Sequence, residues 1–255
     1  MLFEEKILER FLKKLPDNTG YDWEKEKEEE SALAIFEEVF PAAKELIRGK
    51  TVLDFGCGEG HLALALGRLG AKRVIGVEIQ EKHLCRAREL ANEVGLNSKV
   101  EFTSFLDEGR YGSFDIAVLQ NSFEHVDGPG ELLRKIFQLV GSDGKVFLTF
   151  GPPWLSPYGS HMNQIFSIPW VNILFSESAI MRVRARVKGD GARHFSEVDG
   201  GLNMMTVSRF EKIVRAINAR IEYLKYDCVW KMSIFGNVPF LRELFINRVS
   251  CILSK

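Results

Sequence analysis

The chain has 255 residues, 45% of them apolar and 27% charged, with a net charge of −1 and a pI near 6.6. That composition suits an ordinary globular protein of one substantial domain, and the near-neutral balance excludes a global electrostatic footprint for nucleic acid or an anionic membrane. The four cysteines, Cys57, Cys85, Cys228 and Cys251, are too far apart for a metal knuckle in a chain too core-rich to need disulfides, so reduced thiols in a cytoplasmic setting are expected.

Residues 1–50 read as two or three amphipathic helices. Charges recur too often there for a signal sequence or a membrane span. The acidic run Glu24–Glu30 reads as the solvated face opening a helix that turns apolar from Ala32 to Phe40, and Pro41 suits the first turn of the next helix. From Thr51 the pattern becomes strand–helix alternation. Strands are predicted over 51–55, 73–79, 99–103, 114–119 and 145–150, with helices over 61–69, 80–94 and 129–140. Such alternation implies a parallel sheet covered on both faces. Residues 151–200 break the rhythm: Pro152, Pro153, Trp154, Pro157, Tyr158 and His161 crowd one aperiodic stretch. The longest uncharged apolar run, Phe166 to Phe175, is too short to cross a bilayer. A helix over 206–218 and strands over 220–226 and 247–253 complete the pattern.

The fold expected is therefore α/β, a seven-stranded, mostly parallel, doubly wound sheet. Four segments follow: N-terminal helices (1–50), a strand–helix core (51–150), an irregular insertion after the fifth strand (151–200), and a closing helix with two strands (201–255).

The chemistry concentrates at Asp54-Phe-Gly-Cys-Gly-Glu-Gly60, between the first strand and the first helix. Gly56, Gly58 and Gly60 permit a tight turn and close approach of a ligand, and the helix that follows offers unpaired N–H groups. Glu78 ends the second strand, where a carboxylate can accept both hydroxyls of a ribose. Together these predict an adenosine-containing cofactor at the carboxyl ends of the strands. The G-x-G-x-G spacing differs from the G-x-G-x-x-G of dinucleotide binders, and no P-loop sequence is present.

LDFGCGEG (53–60), GVEI (76–79), FDIAVLQNSFEHV (114–126) and GKVFLTF (144–150), in this order and spacing, resemble the class I S-adenosylmethionine-dependent methyltransferases. The resemblance is close over roughly residues 50–150 and looser over the last two strands. It implies an enzyme using S-adenosyl-L-methionine, on a seven-stranded sheet whose last strand is antiparallel. It also implies that Asp54, Gly56, Cys57 and Gly58 hold the methionine end, that Glu78 holds the ribose, that Ile79 flanks the adenine and that Gln120 lies near the sulfonium. Many members place an acid after the third strand to bind the adenine. Here Ser104-Phe105 stands there, with Asp107 slightly later, so either Phe105 stacks or Asp107 accepts. Two other readings remain: a cofactor-binding module without its own chemistry, and an NAD-binding Rossmann enzyme.

Asn121-Ser-Phe-Glu-His125 follows the fourth strand, where the transferable methyl would emerge. His125 is a candidate general base for a hydroxyl acceptor, or a structural hydrogen-bonding group. The segment also resembles the ExxEH of magnesium-using RNA-terminal 2′-O-methyltransferases and of ubiquinone-pathway O-methyltransferases. Asn121 replaces the first acid, which removes an anionic ligand that a hard cation prefers, so no metal is expected.

The insertion leaves the fifth strand beside this point. Trp154, Tyr158, Phe166, Trp170 and Phe175 read as apolar pocket walls stiffened by proline, or else as a satellite core or a homodimer surface. His161 is a second candidate base. PPWLSPYGSH resembles a subgroup of bacterial methyltransferases linked to glycan and secondary-metabolite pathways, which implies a small hydroxylated acceptor. Arg182-Val-Arg-Ala-Arg-Val-Lys188, if extended, points its cations to one side, for an anionic acceptor or a charged edge strand. Interleaved stacking aromatics are too few for RNA. Trp230 to Phe245 is expected to pack against residues 151–180.

Overall fold

A computed structural model of the chain describes residues 3–13, 29–106, 108–198, 200–239 and 241–255. Residues 24–28 of the acidic run and Asp107 lie outside the described residues. The strands are β1 Thr51–Phe55, β2 Arg73–Val77, β3 Val100–Thr103, β4 Phe114–Gln120, β5 Val140–Phe150, β6 Arg220–Cys228 and β7 Ile246–Ser254. They form one sheet in the order β3-β2-β1-β4-β5-β7-β6. Neighbours from β3 to β5 pair in parallel, while β7 runs antiparallel to both β5 and β6. This is the predicted seven-stranded class, with its antiparallel last strand inserted between β5 and β6.

The helices are α1 Phe3–Glu9, α2 Glu29–Val39, α3 Ala43–Ile47, α4 His61–Leu69, α5 Glu81–Glu93, α6 Glu108–Tyr111, α7 Pro129–Leu139, α8 Val171–Leu174, α9 Glu177–Lys188, α10 Val207–Ala216 and α11 Arg242–Phe245. Strand alternation assigns side chains to two cores. Val52, Val74 and Phe147 face α2, α4 and α5, whereas their neighbours Leu53, Ile75 and Leu148 face α7 and α10. Gly70 stops α4 in the left-handed conformation, as its position predicts.

The insertion builds a third core. Phe166, Ile180, Val183 and Phe195 are buried together with Leu8 of α1, and Trp154 and Phe175 pack against them. The chain after α1 is tied to the insertion by the Lys13 N–H donating to the Ile165 carbonyl (2.8 Å) and the Ser167 N–H donating to the Phe11 carbonyl (2.8 Å). The satellite-core reading of these aromatics therefore describes most of them better than the pocket-wall reading. Trp170 instead meets Trp230 (5.8 Å between ring centroids) and Phe245 (6.3 Å), so the 230–245 segment does pack on the insertion.

The extended reading of Arg182–Lys188 is overturned: the segment is the second half of α9. The Ser176 hydroxyl caps the helix by accepting from the Ala179 N–H, and Gly189 ends it in the left-handed conformation. Helical geometry sends the cations to two faces rather than one. Arg182 and Arg186 pair with Glu5 of α1, and Arg186 also with Glu9, while Arg184 grips Asp190 with two N–H groups.

Phe147 is fully buried between Phe40 (5.1 Å) and Phe36 (5.9 Å) and holds α2 against the sheet. Phe147→Ala is expected to cost about 3–5 kcal/mol of stability, read as a lower denaturation midpoint in urea.

Candidate active site

The tips of β1 and β4 open onto a cavity of about 370 Å³ whose lining includes Asp54, Gly56, Cys57, Gly58, Gln120 and Asn121. Pairing with Gly76 of β2 and Val118 of β4 places Asp54 near the end of β1, an interior strand. The chain then turns sharply, with the N–H groups of Gly56 and Cys57 both donating to the Val77 carbonyl (2.8 and 3.0 Å). The three glycines of the loop serve different ends. A Cβ on Gly56 would lie 2.6 Å from Ser122, and one on Gly60 2.4 Å from the Phe102 ring, so both are glycine because protein packs there. Gly58, at φ +53°, faces open space: a Cβ there would meet nothing within 4 Å, so only its left-handed backbone calls for glycine.

Asp54 lines the cavity, and Glu78 stands close enough behind the loop for its charge to act on Asp54. Glu78 is already engaged: it accepts from the Gly58 N–H (3.0 Å) and the Gln80 N–H (2.8 Å). Asp54 is only 2% exposed, and its Oδ2 has no hydrogen-bond partner. Burial, then the charge of Glu78, pushes its pKa up to about 7 against a weaker opposing pull from the Ala63 N–H. Gln120 adds a second buried, unpartnered oxygen, Oε1. Burial and these acids also push the Cys57 thiol up, so it stays protonated. Ile79 and Phe105 are 82% and 66% exposed at the ends of neighbouring strands, unusual for large apolar side chains. Glu59, within 3.2 Å of His83 and 3.7 Å of His61, forms a rim that sequence reasoning did not single out.

The turn after β4 carries the rest. Asn121 adopts φ +50°, and the Ser122 hydroxyl donates to the Phe55 carbonyl (3.0 Å). Glu124 is buried, and burial raises its carboxyl pKa. Its Oε1 accepts from the Gly151 N–H (2.9 Å), where the insertion begins. At the insertion's other end, Asn203 Nδ2 donates to the carbonyls of Phe123 and Val126 (both 2.8 Å), and the Asn203 N–H donates to the Glu124 carbonyl. Glu124 and Asn203 were missed as site-building residues; neither a glutamate after a strand nor a distant asparagine signals such a contact in sequence.

His125 and His161, far apart in sequence, are brought together with ring centroids 5.4 Å apart and planes nearly perpendicular. The Gly201 carbonyl lies 2.6 Å from His125 Nδ1. A carbonyl can only accept, so Nδ1 carries the hydrogen and the neutral ring presents Nε2 as its base. Burial, then the charge of His125, pulls the His161 pKa down to about 4. Both rings line a second cavity of about 210 Å³, separate from the first. The largest described cavity, about 740 Å³ and bordered by Tyr226 and Arg242, has satisfied polar walls: both donate to Glu211. Among the described residues no group of three or more His, Cys, Asp or Glu could hold a metal ion, and no helix is long and apolar enough to cross a membrane.

Strand order, glycine turn and paired acids together are those of a class I S-adenosylmethionine-dependent methyltransferase fold. Residues 25–224 match the family described as "Methyltransferase domain", and the chain belongs to that family. It is similar to the ubiquinone biosynthesis O-methyltransferase of Neisseria meningitidis serogroup C, 37% identical over 106 residues, 40% of this chain and 44% of that one. The chain thus matches less than half the length of that relative. Among solved structures it resembles magnesium protoporphyrin IX methyltransferase from Synechocystis (17% identical, TM-score 0.55, covering 94% of this chain and 90% of the other). It also resembles the cyclase SpnF (16%, TM-score 0.57, 96% and 87%). At such identities the likeness is one of fold, and SpnF shows that the fold hosts other chemistry.

Asp54 generates a prediction for the ligand-free protein. An ordinary aspartate titrates near 3.8, so between there and about pH 7 the folded state holds a proton that the unfolded state releases. Stability therefore falls as pH rises through that window and stays low above it. Asp54→Asn keeps the neutral form at every pH. It should raise the melting temperature at pH 8 by roughly 5–10 °C, with the gain shrinking below pH 5, as scanning calorimetry would report.

Proposed function

We propose that the chain transfers a methyl group from S-adenosyl-L-methionine to a hydroxyl oxygen of a small acceptor, such as a sugar or secondary metabolite. The observation that carries this reading is Asp54: a buried carboxylate with one unpartnered oxygen, beside a second acid, at the edge of an open crevice. Such a pair is poorly suited to phosphate and well suited to a cationic ligand. The cofactor, when bound, supplies an electrophilic methyl on a positively charged sulfur. The curated relatives named as O-methyltransferases support oxygen as the nucleophile.

On this reading Asp54, Gly56, Cys57 and Gly58 hold the methionine end. Glu78 accepts the ribose hydroxyls on lone pairs that its two backbone donors leave free. Ile79 and Phe105 lose their exposure against the adenine, and Gln120 lies by the sulfonium. Bringing donor and acceptor together in line accounts for most of the rate. His125, with Nδ1–H fixed on Gly201, takes the hydroxyl proton at Nε2. His161 is too weak a base for that role and serves as a neutral hydrogen-bonding neighbour. The insertion 151–200 shapes the acceptor side, and the protein works in the cytoplasm without a nucleic-acid partner.

Calorimetry with S-adenosylhomocysteine, and a methyl-transfer assay over phenols, catechols and sugars, test the proposal. Glu78→Ala should weaken S-adenosylhomocysteine binding by about 2–4 kcal/mol. His125→Ala should leave that affinity intact while lowering kcat about 100- to 10,000-fold. Tight binding with no turnover on any acceptor would favour a binding module, and binding of NAD in place of S-adenosylhomocysteine would overturn the reading.

A further inference from the structure

We infer that the second cavity binds an oxyanion of the acceptor, so that the molecule methylated is a hydroxylated carboxylate or phosphate; this rests on the methyl-transfer reading for the neighbouring crevice. The cavity has six hydrogen-bonding side chains in its wall, His125, Ser160, His161, Gln164, Arg184 and Lys188, and no acid among its lining residues. Ser160, Gln164, Arg184 and Lys188 can each donate a hydrogen bond there, whereas the neutral rings of His125 and His161 offer a nitrogen that only accepts. The Nε2 of His161 is buried with no partner and, with the other ring nitrogen donating to the Pro152 carbonyl, can accept from a hydroxyl of the same ligand.

Helix α9 explains how the cations reach this wall. Arg182 and Arg186 lie on the face that meets Glu5 and Glu9 and are consumed by the fold. Arg184 and Lys188, one turn apart, lie on the other face and line the cavity. Asp190 grips Arg184 through two of its five N–H groups, which fixes the guanidinium plane and leaves three donors for a ligand. The same aspartate offsets the charge of Arg184, so the surplus positive charge at the cavity belongs to Lys188.

The position fits a substrate bound at both ends. The first cavity's lining reaches Gln120 and Asn121, and the second begins at His125. One short turn separates them. An acceptor with its oxyanion against Arg184 and Lys188 would present a hydroxyl to His125 and, past it, to the methyl donor.

The test uses the full chain saturated with S-adenosylhomocysteine and titrated by calorimetry with dihydroxybenzoate and with uncharged dihydroxybenzamide, and separately with inorganic phosphate. The acid should bind about tenfold more tightly than the amide. Phosphate should compete with the acid if the site is a general oxyanion site, and should fail to compete if it is confined to carboxylates. Lys188→Met should cut the preference for the acid below about threefold, with affinity for S-adenosylhomocysteine unchanged, and Lys188→Arg should restore it. Equal binding of acid and amide, binding of neither, or a preference that survives Lys188→Met would overturn the inference. Failure to bind S-adenosylhomocysteine would instead overturn the methyl-transfer reading; the acid–amide comparison, made then on the unliganded chain, still decides the oxyanion site.

Discussion

Two carboxylates stand close together at the tips of β1 and β2, and one oxygen of the buried one has no hydrogen-bond partner. Glu78 is held by two backbone N–H groups, whereas Asp54 has an oxygen facing nothing. A buried acid without a partner is costly, and a neighbouring negative charge raises the cost. The surrounding fold holds it there all the same. Asp54 belongs to β1, locked in register with β2 on one side and β4 on the other, so it cannot swing out to water without breaking the sheet. Glycines at 56 and 60 let Ser122 and Phe102 close in behind the loop. The proposed cofactor site rests on this costly arrangement. A cation is the partner that relieves both the desolvation and the repulsion.

The sheet and this crevice were legible because their signals are local. Parallel strands buried on both faces read as short continuous apolar runs, and their neighbours in space follow the strand–helix alternation. The acid at the end of β1, the glycine turn and the acid at the end of β2 each lie at a strand tip, so order in sequence becomes proximity in space. Even the convergence of His125 and His161 was half visible, since both follow strand ends that neighbour each other. The reason for two of the glycines was not visible. Gly56 and Gly60 face Ser122, in the turn after β4, and Phe102 of β3, and no local pattern announces an approach from so far along the chain.

The insertion was illegible for a different reason. Arg182 to Lys188 alternates basic and apolar residues, which suits a strand, but Ile180, Val183 and Val187 also repeat at helical spacing. The deciding signals lay at the ends: Ser176 as a cap and Gly189 as a stop. The burial of the aromatics was ambiguous in the same way, because a pocket wall and a core use the same residues. What settled them was α1, a helix more than a hundred and fifty residues away, which completes the third core with Leu8 and neutralises the helix with Glu5 and Glu9. Long-range partners of this sort leave no mark in the segment they stabilise.

The same distant anchoring bears on how the site can act. A fifty-residue excursion from a strand end would ordinarily move relative to the crevice, and alignment of two reactants tolerates little movement. Here the excursion leaves at Gly151 and is held by Glu124; it returns near Asn203 and is held by the carbonyls of Phe123, Glu124 and Val126. At Gly151 any side chain would collide with the Asn247 carbonyl of β7, so the exit is pinned from the sheet side as well. Both ends of the insertion are thus fastened to the turn that carries His125, and that turn is fastened to β1 through Ser122 and Phe55. The second cavity is therefore fixed in place relative to the first. The buried, proton-favouring carboxyl of Glu124 is better understood as the clamp that fixes this geometry than as a reacting group: one of its oxygens is spent on the Gly151 N–H at the insertion's root.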